Sequence, residues 1–202
     1  NLDWIFVTHE HIDHCDPYTL PVLVKNNKNL KIVGPAKVRK KLLDWGIPEN
    51  KIIKASNKRL KLTDDIFMYS IPAAHPKVTY AFDGQPNEIG WILEVQGKKI
   101  LFTGDTSLTE EIISFLKKYL PIEAAFLPVN EDNFFRRQRG IIGNMSIREA
   151  FQLTDELRIK KLFPVHWDMF KVNSSLPEEI NIIYKAYNWN FELINDISKE
   201  NI

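Results

Sequence analysis

Three of the chain's five histidines fall within six residues, as His9-Glu10-His11-Ile12-Asp13-His14. Imidazole nitrogen and carboxylate oxygen are the donors that hold Zn2+ and similar divalent ions. On a turn leaving a strand, His9 and His11 (positions i and i+2) can converge on one ion. Asp13 and His14 then project to a neighbouring site. Taken alone, His75 reads as a capped loop histidine and His166 as a satisfied core one; beside the triplet, both read as further ligands. Their positions agree. His9 follows Val7-Thr8, His75 follows Ile71, Asp105 follows Phe102-Thr103-Gly104 and His166 follows Pro164-Val165, so each lies just past the end of an expected strand. Active sites of α/β proteins gather at such carboxyl ends, where loops converge while the sheet stays rigid.

The elements that must hold these loops are runs of β-branched and aromatic residues alternating with amphipathic stretches. Strands are expected over 4–8, 30–33, 52–55, 60–62, 66–71, 91–95, 99–103, 124–129, 162–165 and 191–194. Helices are expected over 36–45, closed by Gly46 at the C′ place, over 109–119 and over 177–187. Another opens at the capping box Ser146-Ile147-Arg148-Glu149 and runs to about Leu157. Asp16-Pro17 reads as the N-cap and first residue of a further helix, which Pro21 makes irregular. Gln96-Gly97 closes a hairpin. Without a linker, repeat or biased tract, residues 1–202 read as one α/β domain with parallel and antiparallel pairings mixed.

His9-x-His11-x-Asp13-His14, the later His75, Gly104-Asp105-Thr106 and the final His166 resemble, in order, the five motifs of the metallo-β-lactamase superfamily. The resemblance implies an αββα sandwich with a two-metal site on its edge. It implies that His9, His11 and His75 hold one divalent ion, that Asp13, His14 and His166 hold a second, and that Asp105 bridges both. Zn2+ is the expected metal, one or two per chain, with Mn2+ and Fe2+ accepted by the same donors. The implied activity is that of a metal-dependent hydrolase whose metal-bound hydroxide attacks a carbonyl or phosphoryl centre, Asp13 and Asp105 being its catalytic carboxylates. The strands that the family places before its first motif have no counterpart ahead of Trp4, so they are expected to lie outside this numbering.

Within that superfamily, His11 stands where the flavodiiron branch has Glu, and Asp105 where the best-known β-lactamases use Cys nearby. Cys15-Asp16-Pro17 replaces the Gly that tRNA-processing nucleases carry after the first motif. Asp16 instead completes His-x-His-x-Asp-His-x-Asp, which resembles the branch containing the L-ascorbate-6-phosphate lactonase. Ile32-Val33-Gly34-Pro35, Trp45-Gly46-Ile47-Pro48, Arg139-Gly140-Ile141 with Met145-Ser146, and Pro164-Val165-His166-Trp167-Asp168 resemble further segments of that lactonase. The implied substrate is small and anionic, such as a sugar-phosphate lactone, with Arg139 gripping its phosphate or carboxylate as a bidentate fork. Arg136 and Arg137 read evenly as site or solvated face, and Trp91, Trp167 and Phe170 as pocket wall or core. Cys15 reads as a buried small side chain, and Asp16 evenly as an N-cap or as a group orienting a ligand histidine.

Composition narrows the classes. A hydrophobic fraction of 44% with 11% aromatics excludes low-complexity disorder. Lys+Arg is 27 against Asp+Glu 26, a net +1 that lacks the basic excess expected for non-specific nucleic-acid binding. A phosphodiesterase or nuclease of the same superfamily is the alternative, and it would need a basic channel or an added domain. A non-catalytic metal-binding protein should have lost ligands, and all seven stand here. No apolar run approaches the roughly 18 residues of a membrane span, so no membrane association is expected. The single Cys15 excludes an intrachain disulfide and suits the cytoplasm. A homo-oligomer is compatible with all of this.

Overall fold

The computed structural model describes residues 1–195. Strands β1 (Trp4–Phe6), β2 (Lys31–Gly34) and β3 (Ile52–Lys54) form a three-stranded parallel sheet in that order, with Trp4 opposite Lys31 and Val33 opposite Ile53. Parallel neighbours need crossovers over a sheet face. Helices α1 (Thr19–Asn26) and α2 (Ala36–Asp44) supply them, burying Leu20, Val38 and Leu42 against Val7 and Ile32. Pro21 sits in the first turn of α1, where its missing N–H is not needed, and the helix runs regularly to Asn26.

The second sheet has seven strands: β4 (Leu60–Lys61), β5 (Ile66–Pro72), β6 (Ile89–Val95), β7 (Lys98–Phe102), β8 (Ala124–Pro128), β9 (Lys161–Val165) and β10 (Glu192–Leu193). Their order is β10-β9-β8-β7-β6-β5-β4, antiparallel from β4 to β7 and parallel from β7 to β10. The β6–β7 hairpin turns on Gln96 (φ +48°) and Gly97 (φ +80°), both in the left-handed region that two-residue hairpin loops favour. Pro164 sits opposite Leu127 of β8, while the pairing of β9 with β10 stops at Leu162, so no neighbour on that side asks for its N–H.

Strand alternation then builds the layers. Leu101, Ala125 and Leu162 point to one face, where α3 (Glu110–Lys117), α5 (Ile147–Glu156) and α6 (Pro177–Lys185) pack Ile112, Leu116, Phe151 and Ile180 on them. Phe102, Phe126 and Phe163 point to the other face, stacked with centroids 4.5 and 4.4 Å apart. Toward the small sheet, Met68, Trp91 and Phe102 meet Trp4, Phe6 and Val33. The result is an αββα sandwich. An apolar cleft of about 490 Å3 remains between the sheets beside Phe6, Phe102 and Phe126. A short helix that the sequence reading did not expect, α4 (Phe134–Gln138), follows β8 and is capped by Asn133. No helix among the described residues is long and apolar enough to cross a membrane.

Candidate metal centre

The chain leaves β1, β5, β7 and β9 at the same edge of the sandwich, and the loops there carry every ligand expected from sequence. After β1 the backbone turns tightly: the N–H groups of His14 and Cys15 both donate to His11 O, at 3.0 and 2.7 Å. Cys15 is thereby fully buried beneath the turn. Asp16 accepts from the N–H groups of Tyr18 (3.0 Å) and Thr19 (3.2 Å). Its carboxylate therefore caps the turn ahead of α1, and no contact with a histidine is formed. Gly104 lies at φ +61°, and a Cβ there would sit 2.8 Å from Thr8 Cβ, so the β1 and β7 loops touch backbone to side chain. His166 adopts φ +61°, uncommon for a side-chain-bearing residue, and this swings its imidazole off the end of β9 into the cluster.

Three groups of donors lie with their atoms within 4.8 Å of one another: His9, His11 and His75; Asp13, His14 and His166; and His9, His14 and Asp105. Asp105 stands between the first two groups. Its Oδ1 is 3.2 Å from His14 Nε2 and 3.4 Å from His166 Nε2, while its Oδ2 faces His75 Nε2 at 3.8 Å. Asp13 Oδ2 lies 3.3 Å from His166 Nε2 and 3.4 Å from His14 Nε2.

These donors fit divalent ions on their own geometry. His9 Nε2 faces His11 Nδ1 at 3.0 Å, and His14 Nε2 faces His166 Nε2 at 3.3 Å. Facing imidazole lone pairs repel unless a proton or a metal ion lies between them. Asp105 Oδ1 is buried and none of the hydrogen bonds formed within the protein satisfies it, although two histidine nitrogens lie within 3.4 Å. The electrostatics agree. Burial and the charge of His14 push His9 down to about 3. Burial pulls on His14 too, but its contacts with Asp105 and Asp13 prevail and hold it up at about 9. Contacts with His14 and His166 hold Asp13 far below the usual carboxylate range. Burial disfavours ionised Asp105, yet His14 and the other histidines keep it well below that range. Two carboxylates held ionised among histidines make a site whose charge a divalent cation would balance.

A network missed from sequence supports the first loop. Lys37 Nζ on α2 lies 3.1 Å from both Glu10 Oε1 and Glu88 Oε1, Thr79 Oγ1 donates to Glu88 Oε2 (2.8 Å), and Lys41 Nζ donates to Glu10 O (2.8 Å). Thr8 Oγ1 and His9 Nδ1 share a hydrogen bond of 3.0 Å, and Thr106 Oγ1 accepts from the Ala74 N–H at 2.9 Å. Thr8 and Thr106 flank expected ligands, a signal that could have found them; Lys37 and Glu88 carried none.

A cleft of about 350 Å3 opens over the donors, walled by Gly140, Ile141 and Ile142 on one side and Phe170, Val172 and Asn173 on the other. Of the three aromatics considered from sequence, Phe170 alone lines it; Trp91 packs between the sheets and Trp167 on the helical side of the large one. Arg139 is the exposed C-cap residue of α4 and does not line the cleft. Arg136 donates to Glu131 O (2.7 Å) and Ser174 O (2.8 Å), and Arg137 pairs with Asp132 at 2.5 Å.

A profile of the beta-lactamase superfamily domain matches residues 1–167. An uncharacterized protein of Mycobacterium tuberculosis is 23% identical over 171 residues, covering 85% of this chain and 45% of that protein. The chain therefore spans about half the length of this relative. A UPF0173 metal-dependent hydrolase of Pyrobaculum aerophilum is 27% identical over 183 residues, covering 90% of this chain and 72% of that protein. Among solved structures, a metallo hydrolase of Ignicoccus hospitalis superposes with a TM-score of 0.71 at 21% identity, over 95% of this chain and 75% of its own.

Proposed function

The chain belongs to the beta-lactamase superfamily, and from that premise we propose that it is a metal-dependent hydrolase acting on a small carbonyl substrate of the lactone type. One observation carries the reading: Asp105 turns one oxygen toward His14 and His166 and the other toward His75, so a single carboxylate faces both donor groups. In this reading His9, His11 and His75 would hold one divalent ion, Asp13, His14 and His166 would hold a second, and Asp105 would serve both. When bound, such a pair acidifies a water molecule and polarises the substrate carbonyl.

The chain's own residues do the rest. Asp13 Oδ2 lines the cleft, 3.4 Å from His14 Nε2 and 3.3 Å from His166 Nε2, where it would orient an attacking water. His75 and His166 keep buried Nδ1 atoms without hydrogen-bond partners, so what binds at Nε2 decides their tautomers. Phe170 and Val172 add apolar surface to the cleft over the donors. The lactone reading extends the resemblance carried by the residue 9–16 segment. A sugar-phosphate form would rely on Arg139, which is exposed beside Gly140 and is not among the residues that line the cleft.

Elemental analysis of protein purified without chelator tests the foundation, with one or two ions of Zn, Mn or Fe per chain expected. Protein that takes up no transition metal overturns it. On the loaded protein, turnover of simple lactones should exceed that of bis(p-nitrophenyl) phosphate; the reverse order overturns the carbonyl chemistry.

A further inference from the structure

The cleft over the donors is walled by hydrocarbon. Ile141, Ile142, Phe170 and Val172 line it, and among the described residues no lysine or arginine does. Of the cations beside it, Arg136 is spent on Glu131 O and Ser174 O and Arg137 on Asp132, while Arg139 and Lys171 are exposed and do not line it. Ile142 and Val172 are 43% and 63% exposed, so their apolar surface is free for a ligand to cover. The cleft has one polar group that is not a presumed ligand. Asn173 is 6% exposed, its Oδ1 is buried without a hydrogen-bond partner, and the residue lines the cleft.

We propose that this cleft takes an uncharged lactone or ester with an unbranched hydrocarbon arm. The arm lies between Ile141–Ile142 and Phe170–Val172, and Asn173 Oδ1 accepts a hydrogen bond from an N–H or O–H that the substrate head carries. The inference rests on the hydrolase reading for its chemistry, but on the wall residues alone for its selectivity. A charged tip on the arm would lie against these walls, which carry no lysine or arginine, and lose hydration there, a cost that a neutral arm avoids. A volume of about 350 Å3 lies at the small end of ligand pockets, so the benefit of a longer arm should end once the cleft is filled.

The test uses γ-lactones with alkyl arms of increasing length, a carboxylate-tipped lactone of equal length, and the matching γ-lactams, which resist hydrolysis. On Zn2+-loaded protein, kcat/KM should rise roughly threefold to fourfold per methylene before levelling off, from a transfer gain of ~0.8 kcal/mol each. The carboxylate-tipped lactone should fall below its neutral match. Calorimetry of the lactams on protein without added metal should show the same rise in affinity. Ile142→Ser and Val172→Ser, both at exposed positions, should flatten the rise. Asn173→Ala should lower affinity for every lactam by about twofold to tenfold while leaving the rise intact. Lactam affinity that climbs with the arm while no lactone is turned over supports the cleft and removes the hydrolase reading. Turnover with no dependence on arm length, or a preference for the carboxylate tip, overturns the cleft assignment and leaves the hydrolase reading standing.

Discussion

Replacing Gly104 by alanine should loosen the junction on which the whole centre depends. Gly104 precedes Asp105 and lies at φ +61°, where a residue with a Cβ costs roughly 1–2 kcal/mol. The added methyl would stand 2.8 Å from Thr8 Cβ, 2.8 Å from Thr8 Cγ2 and 3.1 Å from Thr8 Oγ1, so something must shift. Forcing a methyl into such a contact costs roughly 1–3 kcal/mol. The sum, about 2–5 kcal/mol, should lower the urea midpoint by about 1–2.5 M at a denaturant dependence near 2 kcal/mol per M. The partner in the contact is Thr8, which precedes His9, so relief of the clash moves one ligand loop away from the other. The affinity for Zn2+, read by competition with a chromophoric chelator, should fall with the stability. A Thr8→Gly background separates the two contributions. There Gly104→Ala should cost only its backbone share, leaving a coupling of about 1–3 kcal/mol in the double-mutant cycle. Strictly additive costs would show that Thr8 and Gly104 do not meet, and the account of how the β1 and β7 loops are clamped would be wrong.

Asp105→Asn should keep the far-ultraviolet circular dichroism spectrum while bound metal falls by about one ion per chain, since an amide offers one oxygen acceptor in place of two; undiminished metal content would remove Asp105 from between the donor groups. Cys15 is fully buried, and burial pushes its thiol up to about 11. Ellman's reagent at pH 8 should therefore find no thiol in the native protein and one in urea, and prompt labelling of the native form would contradict the packing of the turn over it.

The donor cluster was legible because the chemistry of its residues and their positions at strand ends say the same thing. Few structures explain three histidines in six residues, and strands as regular as β7 and β9 announce where their loops begin. Residues with ambiguous chemistry were not legible. Trp91 belongs between the sheets because strand alternation places it on the inner face opposite Phe102. Trp167 packs toward the helices, and Phe170, three residues on, lines the cleft. All three have the same sequence signature. Asp16 could have oriented a histidine, but two backbone N–H groups take its carboxylate first.

Arg139 shows why the surroundings of the cleft were harder to read than the donor cluster. Arg136, Arg137 and Arg139 look like one basic run until α4 is known to occupy Phe134–Gln138. Even one short helix sends successive side chains to different sides. Arg136 reaches across to Ser174, Arg137 turns to Asp132, and Arg139 ends the helix in solvent. The Arg136 bond to Ser174 O has a further consequence. It ties the segment carrying Ile141 and Ile142 to the one carrying Phe170, Val172 and Asn173, so the two walls of the cleft form one unit. The donors themselves sit on turns that leave β1, β5, β7 and β9. The donor cluster and the cleft walls therefore reside in separable parts of the chain. A change in the wall loops should alter the cleft without displacing the donors, whereas a change at Gly104 or Asp105 should disturb the donor cluster itself.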